Sequence, residues 1–333
     1  MRQLARFKEG RFLAAVLVSL FTVVGSAAAA DKVTLRLDWS ALGYHGPFYL
    51  AQERGYYKEA NLDVEINEGK GSNTNVQLVG RGQDTFVFAD AAAAAKSASL
   101  GLPVKVIMGV YRRGMAGVVI PKGAMQTPAD LKGKSIAVTV GDGPYQMFPG
   151  FLRANNIPID TVKMQSVDAG AKLRLGAERK VDGTVTYVPV SAVVMEGMTG
   201  VEFTGFLFSD SGINVPSLGI VANTKTLETQ PDLVRRFLAA TVRGWADARR
   251  DPKAAFAAQA KSLPQVRNQE ALFLKTFQST FDYFDTKNTV GKPFGWQSPD
   301  DWRVAAEILE KYMEAKPGTA PDLYYTNDFL PKQ

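Results

Sequence analysis

The sequence predicts an α/β protein made of two similar lobes, and three observations lead to this prediction. Residues 33–66 contain a strand, a polar turn, a helix and a second strand, which is the repeating unit of a parallel sheet. Residues 135–155 repeat the order of strand, turn with Gly and Pro, aromatic residue and helix, which indicates a second lobe. After residue 223, apolar side chains recur at the three-and-four spacing of amphipathic helices.

Composition excludes several classes of site. The chain has 333 residues, of which 46% are hydrophobic and 22% are charged, and this length is enough for two globular domains. It contains no cysteine and one histidine, His45. Disulfide bonds, thiolate metal sites, a cysteine nucleophile and a multi-histidine zinc site are therefore excluded. We predict neither a metal ion nor a cofactor.

The first 30 residues have the organisation of a signal peptide. Four basic side chains lie among residues 2–11, an apolar run follows at residues 12–24, and small residues occupy positions 25–30. A transit peptide is the alternative, but this order of regions favours export, with cleavage after Ala30 and a periplasmic mature protein. The segment carries +3 of the formal net charge of +6. The mild charge that remains does not indicate a nucleic-acid partner.

Strands are predicted from short apolar and β-branched runs, and helices from caps that precede apolar periodicity. The predicted strands cover residues 33–37, 62–66, 85–89, 104–111, 118–120, 135–140, 161–165, 182–187, 203–208 and 218–223. The predicted helices cover residues 48–60, 75–81, 91–98, 146–155, 172–178 and 191–198, and further helices begin near Thr229 and Ser298. Trp245 and Trp302 fall on the apolar faces of these last helices, so we expect both in the core.

The limits of the two lobes follow from two features of the chain. Composition changes at residues 121–123, where the second lobe is expected to begin. The strand-like run at residues 218–223 is where the chain is expected to cross back to the first lobe. We therefore assign residues 31–120 and 221–333 to the first lobe and residues 121–220 to the second.

Polar and aromatic side chains collect after the predicted strands, where ligands of open α/β sheets bind. A planar heterocycle requires aromatic faces and a few directed polar groups. The candidate faces are Trp39, Tyr49, Tyr111, Tyr145 and Tyr187, and the candidate polar contacts are Asp38, Asn73 and Asp90. Capping of a helix N-terminus is the alternative role for Ser72, Asn73 and Asp90. His45, in the first turn, either contacts ligand or makes a structural hydrogen bond.

Several segments resemble the periplasmic solute-binding proteins of ABC importers for thiamine pyrimidine precursors, sulfonates, taurine and nitrate. The similarity is carried by residues 37–39 (Leu-Asp-Trp), 45–51, 55–59, 62–64, 127–134, 181–183 and 325–330. It implies the type II periplasmic binding protein fold, in which two α/β lobes are joined by two crossing segments and close by a hinge on a ligand in the cleft between them. It also implies a monomer that delivers a small molecule to an ABC permease with its ATPase.

The resemblance leaves the ligand class open between two branches. His45, Gly46 and Tyr49 look most like the branch that binds a thiamine pyrimidine precursor, although the Asn that usually follows Trp in that branch is absent and residues 40–43 are Ser-Ala-Leu-Gly. A sulfonate, taurine, nitrate or aromatic carboxylate is the alternative. Such an anion would be held by Ser72, Asn73, Arg112 and Gly143.

Two other classes of protein share this fold. Yeast-type relatives make the thiamine pyrimidine with an active-site histidine and a cysteine-rich iron motif. Because this chain has no cysteine, no Gly-x-Ser-x-Gly elbow and no HExxH motif, we predict that it is not an enzyme. A ligand-loaded sensor partner of a membrane kinase is the other class.

Overall fold

The computed structural model describes residues 29–332, so nearly all of the predicted signal peptide lies outside the described residues. The strands are β1 (Asp31–Arg36), β2 (Leu62–Asn67), β3 (Phe86–Asp90), β4 (Val104–Gly109), β5 (Ala116–Pro121), β6 (Ser135–Val138), β7 (Lys163–Ser166), β8 (Gly183–Tyr187), β9 (Phe203–Leu207) and β10 (Leu218–Asn223).

Helices cover both sheets and make up most of the chain after β10. They are α1 (Gly46–Glu53), α2 (Tyr56–Glu59), α3 (Ser72–Gly80), α4 (Ala91–Ser99), α5 (Gly143–Ala154), α6 (Ala169–Ala177), α7 (Val188–Thr199), α8 (Thr224–Thr229), α9 (Pro231–Arg250), α10 (Pro252–Ser262), α11 (Glu270–Gln278) and α12 (Pro299–Met313). Within the described residues, no helix is both long enough and apolar enough to cross a lipid bilayer.

The strands form two five-stranded sheets with equivalent topology. The strand order is β2-β1-β3-β10-β4 in the first sheet and β7-β6-β8-β5-β9 in the second. In each sheet one strand is antiparallel to both of its neighbours, β10 in the first and β5 in the second. The remaining pairs are parallel. The predicted fold, two α/β lobes of the same kind, is confirmed.

Two segments cross between the lobes, at residues 110–115 and 208–217. They run side by side, since the Ser217 amide donates to the Tyr111 carbonyl at 2.9 Å and the Gly114 amide donates to Asn214 Oδ1 at 3.2 Å. Sheet pairing begins at Ala116 in β5 and at Leu218 in β10. When the lobes are divided where sheet pairing begins, the crossings end at residues 115 and 217. The limits expected from composition lie a few residues later, after residues 120 and 220.

The first helical region differs from its prediction as a single helix over residues 48–60. It contains α1 and α2, separated at Gly55, whose φ is +75°. A residue in that left-handed conformation interrupts the helical hydrogen-bond ladder, and glycine adopts it without a steric penalty. The short helix α2 then turns the chain into β2.

The C-terminal helices pack against the first lobe and complete its core. The amphipathic helix α9 lies on α1 and α2, and its Trp245 is fully buried. The Trp245 ring meets Phe48 edge to face at a centroid distance of 5.6 Å. Trp302 of α12 is also buried and stacks on Tyr325 at 5.2 Å. The structure therefore places both tryptophans in the core, as expected from the apolar periodicity.

Candidate functional site

The turn after β1 holds a buried carboxylate between an aromatic residue and the single histidine. Asp38 accepts hydrogen bonds from the Tyr44 hydroxyl at 3.1 Å and from His45 Nε2 at 2.7 Å. The Leu42 amide donates to His45 Nδ1 at 2.9 Å, which makes Nε2 the protonated nitrogen of that imidazole. Because His45 is fully buried behind Asp38, it orients the carboxylate and leaves the open side of Asp38 to the cleft.

A second buried carboxylate, Asp90, lies where β3 meets α4. Its Oδ1 accepts hydrogen bonds from the amides of Ala92 and Ala93 at 3.0 and 3.2 Å, so Asp90 is the N-cap of α4. Its own amide donates to Ser72 Oγ at 3.0 Å. Burial raises the pKa of the Asp90 carboxyl to about 7, against the hydrogen bonds that lower it.

The second lobe contributes an ion pair, Asp142 and Lys172. Asp142 caps α5 by accepting a hydrogen bond from the Tyr145 amide at 2.7 Å, and the Lys172 ammonium of α6 pairs with its other oxygen. Burial raises the pKa of Asp142, and the Lys172 charge opposes that shift. The side chains of Asp142 and Lys172 are only 5% and 3% exposed.

The lobes touch each other across the cleft in this structure. The Tyr187 hydroxyl of the second lobe donates to Asp90 Oδ2 at 3.2 Å, and the Asn73 amide donates to the Gly141 carbonyl at 2.9 Å. The Lys172 ammonium lies 5.1 Å from the centroid of the Trp39 ring. The two lobes are therefore in direct contact around the cleft.

These elements line a cleft between the lobes, and its empty space, counted together with the part open to solvent, is about 440 Å³. Aromatic and aliphatic walls surround a few polar groups, which is the usual composition of a small-molecule site. The lining residues, called the interlobe cleft below, are Asp38, Trp39, Leu42, Tyr44, Gly71, Ser72, Asp142, Gly143, Pro144, Lys172, Leu173, Thr186, Tyr187, Val190 and Ser191. Within the described residues, no group of three or more acidic or histidine side chains is arranged to hold a metal ion.

The structure brings part of the predicted site together. The predicted residues that line the interlobe cleft are Asp38, Trp39, Ser72, Gly143 and Tyr187. Asp90 and Asn73 lie beside it and take part in contacts between the lobes. Asp90 has its alternative role as a helix cap, whereas neither Ser72 nor Asn73 caps α3, which has Gly71 at that position.

Other predicted residues lie away from the cleft. Tyr49 and Tyr111 are buried in the core of the first lobe, and Tyr145 packs partly buried on the core. The Arg112 guanidinium is held by Asp285 at 2.6 Å and by the carbonyls of Phe284 and Trp296. Arg112 is the guanidinium predicted to help hold an anion with Ser72, Asn73 and Gly143. It is bonded instead to the C-terminal segment, which is distant in sequence, and so it does not contribute to the cleft.

Sequence reasoning missed several cleft residues. Asp142 had a signal, since an Asp followed by Gly-Pro is a common helix start. Tyr44 lies in the first turn, directly before His45. Lys172 had no signal, because one lysine in a short predicted helix is ordinarily on a solvated face. Thr186 and Ser191 hydrogen-bond each other at 2.7 Å within the second lobe.

Comparison with known proteins assigns the chain to a protein family. Residues 43–255 match the family model described as NMT1/THI5 like. The chain is 25% identical to a 4-amino-5-hydroxymethyl-2-methylpyrimidine phosphate synthase of Legionella pneumophila, over 90% of this chain and 93% of the relative. It is 23% identical to the riboflavin-binding protein RibY of Chloroflexus aurantiacus, over 90% of this chain and 86% of the relative.

Solved structures show the same fold. The alkanesulfonate-binding protein SsuA of Xanthomonas axonopodis pv. citri, bound to MOPS, superimposes with a TM-score of 0.65. The two are 14% identical, and the match covers 90% of this chain and 99% of that one. At this identity the likeness establishes the periplasmic binding protein fold and carries no statement about the ligand.

These comparisons correct one prediction and confirm another. The prediction that the chain is not an enzyme is wrong, because curated relatives that match nine-tenths of the chain are named as synthases. The absence of cysteine excludes one thiolate-based chemistry and not catalysis as a class. The predicted resemblance to the solute-binding proteins for thiamine precursors and anions is confirmed. The chain belongs to the NMT1/THI5-like family and has the two-lobed fold of periplasmic binding proteins.

Proposed function

We propose that the protein is the solute-binding component of an ABC importer, and that it closes on a small flat heterocycle, for which a thiamine pyrimidine precursor is the reference. The interlobe cleft carries this proposal. Its aromatic side chains, Trp39, Tyr44 and Tyr187, offer faces to a ring, and the Asp38 carboxylate accepts hydrogen bonds from ring or exocyclic amino groups.

The charge of the cleft favours a neutral or cationic ligand over an anion. Among its lining residues two are acidic, Asp38 and Asp142, and Lys172 is basic. The Lys172 ammonium is already paired with Asp142, so Asp38 leaves the cleft with an excess negative charge. A sulfonate or nitrate would meet that charge in a desolvated site, where repulsion between like charges is weakly screened.

The relatives support a flat heterocycle as the ligand class. One is named for a pyrimidine phosphate product and another for binding riboflavin, and both are aromatic heterocycles with ring nitrogens. An anion is the alternative ligand to test, because the alkanesulfonate-binding protein SsuA, bound to MOPS, has the same fold.

Capture and delivery require export and a membrane partner. The basic, apolar and small-residue order of residues 1–30 supports a signal peptide and a periplasmic site of action. In the proposed cycle, the monomer closes on its ligand and then docks both lobes on a permease driven by an ATPase. Genes for a permease and an ATPase beside this one would support import, and a sensor kinase gene would support the signalling alternative.

Calorimetry with four ligands tests the proposal. The probes are 4-amino-5-hydroxymethyl-2-methylpyrimidine, riboflavin, taurine and nitrate. We expect the pyrimidine to bind with a micromolar or lower dissociation constant, and taurine and nitrate to bind at least a hundredfold more weakly. Tighter binding of either anion would overturn the assignment of the ligand class.

Two tryptophan variants connect the calorimetry to the cleft. Trp39→Ala should weaken pyrimidine binding by about 1–3 kcal/mol, since it removes a ring face from the cleft. Trp296→Ala is the matched control, because Trp296 is also partly buried with a lysine ammonium over its ring, at 5.4 Å, but lies outside the cleft. Equal losses in the two variants would contradict the location of the site.

A catalytic step on the bound heterocycle is the second candidate function. The synthase relatives favour it, because they match along nearly the whole chain. Because these relatives are named for forming the pyrimidine, mass spectrometry after prolonged incubation should look for newly formed pyrimidine phosphate and for a change in the mass of the protein itself. The absence of both changes, with added pyrimidine bound and unaltered, supports capture, and either change supports catalysis.

A further inference from the structure

Lys172 occupies an unusual position for a lysine of a short helix. It projects from α6 of the second lobe into the interlobe cleft and is almost fully buried. Its ammonium pairs with Asp142 of the same lobe and lies 5.1 Å from the Trp39 ring centroid of the other lobe. A buried ammonium at the junction of both lobes therefore forms part of the cleft wall.

The donors of this ammonium are only partly used. An ammonium carries three N–H groups. Asp142 Oδ2 accepts one of them, and this is the one hydrogen bond that Nζ makes among residues 29–332. The remaining Asp142 oxygen accepts from the Tyr145 amide. Because a buried donor without a partner is costly, an acceptor atom supplied by a ligand would stabilise the closed form.

The pair also determines which acceptor is suitable. Asp142 neutralises the Lys172 charge, so a second anion would gain little from the ammonium and would still face Asp38. An uncharged ring nitrogen or carbonyl oxygen accepts the same N–H without adding charge to a buried site. The second lobe therefore offers the cleft an N–H donor on Lys172, while the Lys172–Asp142 pair as a whole carries no net charge.

We infer that Lys172 is a ligand-binding residue that donates to an uncharged acceptor, a ring nitrogen or carbonyl oxygen, on the edge of the heterocycle facing the second lobe. This inference rests on the proposed function and deepens it. Asp38 then selects for donors on the edge that faces the first lobe, and Lys172 selects for acceptors on the opposite edge. Lys172 would then contact the ligand, Asp142 of its own lobe and the Trp39 ring of the other lobe, so the same side chain would bind the ligand and hold the lobes together.

A pair of ligands that differ in ring nitrogens tests the inference. The first is 4-amino-5-hydroxymethyl-2-methylpyrimidine. The second is 2-amino-4-methylbenzyl alcohol, in which CH groups replace both ring nitrogens while the substituents stay. The wild-type protein should bind the pyrimidine about tenfold or more tightly than the benzyl alcohol, which corresponds to about 1.4 kcal/mol.

The test variant removes the ion pair without leaving a lone buried charge. In the double variant Asp142→Asn, Lys172→Met, the preference for the pyrimidine should fall below about threefold. The control is Glu178→Gln, Lys180→Met, which removes an exposed ion pair of 3.1 Å from the same lobe and should keep the wild-type preference. Lys172→Arg is a second variant that keeps the charge. It should fold, weaken pyrimidine binding and leave binding of the benzyl alcohol unchanged.

The outcomes separate this inference from the proposed function. If the wild-type protein binds neither ligand, the proposed function fails and the inference fails with it. If the wild-type protein binds the pyrimidine but shows no preference, or if the double variant and Lys172→Arg keep the preference, only the inference is overturned. Lys172 would then be a structural partner of Asp142.

Discussion

Asp38 shows how the residues around a single carboxylate prepare it for a ligand. Tyr44 and His45 donate to it from the protein side, and His45 is itself held by the Leu42 amide. A carboxylate has about four lone-pair directions, so these contacts leave acceptor capacity toward the cleft. Binding then costs little reorganisation, because the side chain is already fixed.

The first prediction concerns this carboxylate. Asp38→Asn keeps the shape but replaces an acceptor oxygen with a donor, so we expect pyrimidine binding to weaken by about ten- to a hundredfold, or roughly 1.4–2.7 kcal/mol. Isothermal titration calorimetry measures the change. Asp63→Asn, on an exposed position of β2, is the control and should bind as the wild type does. Wild-type affinity in Asp38→Asn would assign Asp38 a purely structural role.

Asp90 makes the stability of the closed protein depend on pH. Burial raises the pKa of its carboxyl from 3.8 to about 7, and the charged form also faces Asp38, which raises the pKa further, and Tyr187, which lowers it. The native state therefore holds a proton that the unfolded chain has released. The contribution of Asp90 to stability is full below pH 3.8 and is lost as the pH rises to about 7.

The second prediction follows from this loss of stability as the pH rises. Between the two pKa values, the Asp90 contribution to unfolding free energy falls by about 1.4 kcal/mol per pH unit. Asn at position 90 can still cap α4 but does not titrate, so Asp90→Asn should lose less stability than the wild type from pH 5 to pH 8. Denaturant unfolding at both pH values measures this, with exposed Asp160→Asn as control. Identical pH dependence in Asp90→Asn and the wild type would contradict the raised pKa.

At the scale of elements, the N-terminus of α5 is a point of close approach between the lobes. A Cβ on Gly143 would lie 2.6 Å from the Asp90 Cβ and 3.0 Å from the Tyr187 hydroxyl. Real side chains do not approach so closely, so glycine at this position permits the observed contact between the lobes. The requirement comes from contact across the cleft, since Gly143 is not among the glycines with positive φ.

The third prediction uses this contact. Gly143→Ala should leave both lobes folded but hold them apart, and pyrimidine binding should weaken by about tenfold or more. Gly170→Ala is the control, because a Cβ there would meet only Asp168 Oδ1 at 3.4 Å. Calorimetry gives the affinity and circular dichroism confirms the fold. Unchanged affinity in Gly143→Ala would show that ligand binding does not require the closed form.

Sequence patterns predicted the elements better than the contacts between them. Strand and helix order follows from local periodicity, so the sequence alone relates the turn at Gly143 to the first turn. Arg112 shows the limit of such reasoning, because its partner Asp285 lies 173 residues further along the chain. Lys172 shows it as well, since the packing of α6 against α7, β6 and β8 places that lysine at the cleft.

At the scale of the whole molecule, the fold allows more than one function. Two lobes that close on a cleft can release a ligand to a transporter or isolate it for a reaction, and the family includes synthases. The cleft of this chain combines aromatic faces, the Asp38 carboxylate held by Tyr44 and His45, and a lysine paired with Asp142. These features favour recognition of an uncharged or cationic ring.

Closure on such a ring is the central claim, and small-angle X-ray scattering tests it most directly. Scattering is recorded with and without 4-amino-5-hydroxymethyl-2-methylpyrimidine at about a hundredfold excess over its dissociation constant, where mass action stabilises the bound form by about 2.7 kcal/mol. We predict a larger radius of gyration without ligand, and a ligand-saturated curve that matches the structure described above. Identical curves with and without saturating ligand would contradict capture by closure.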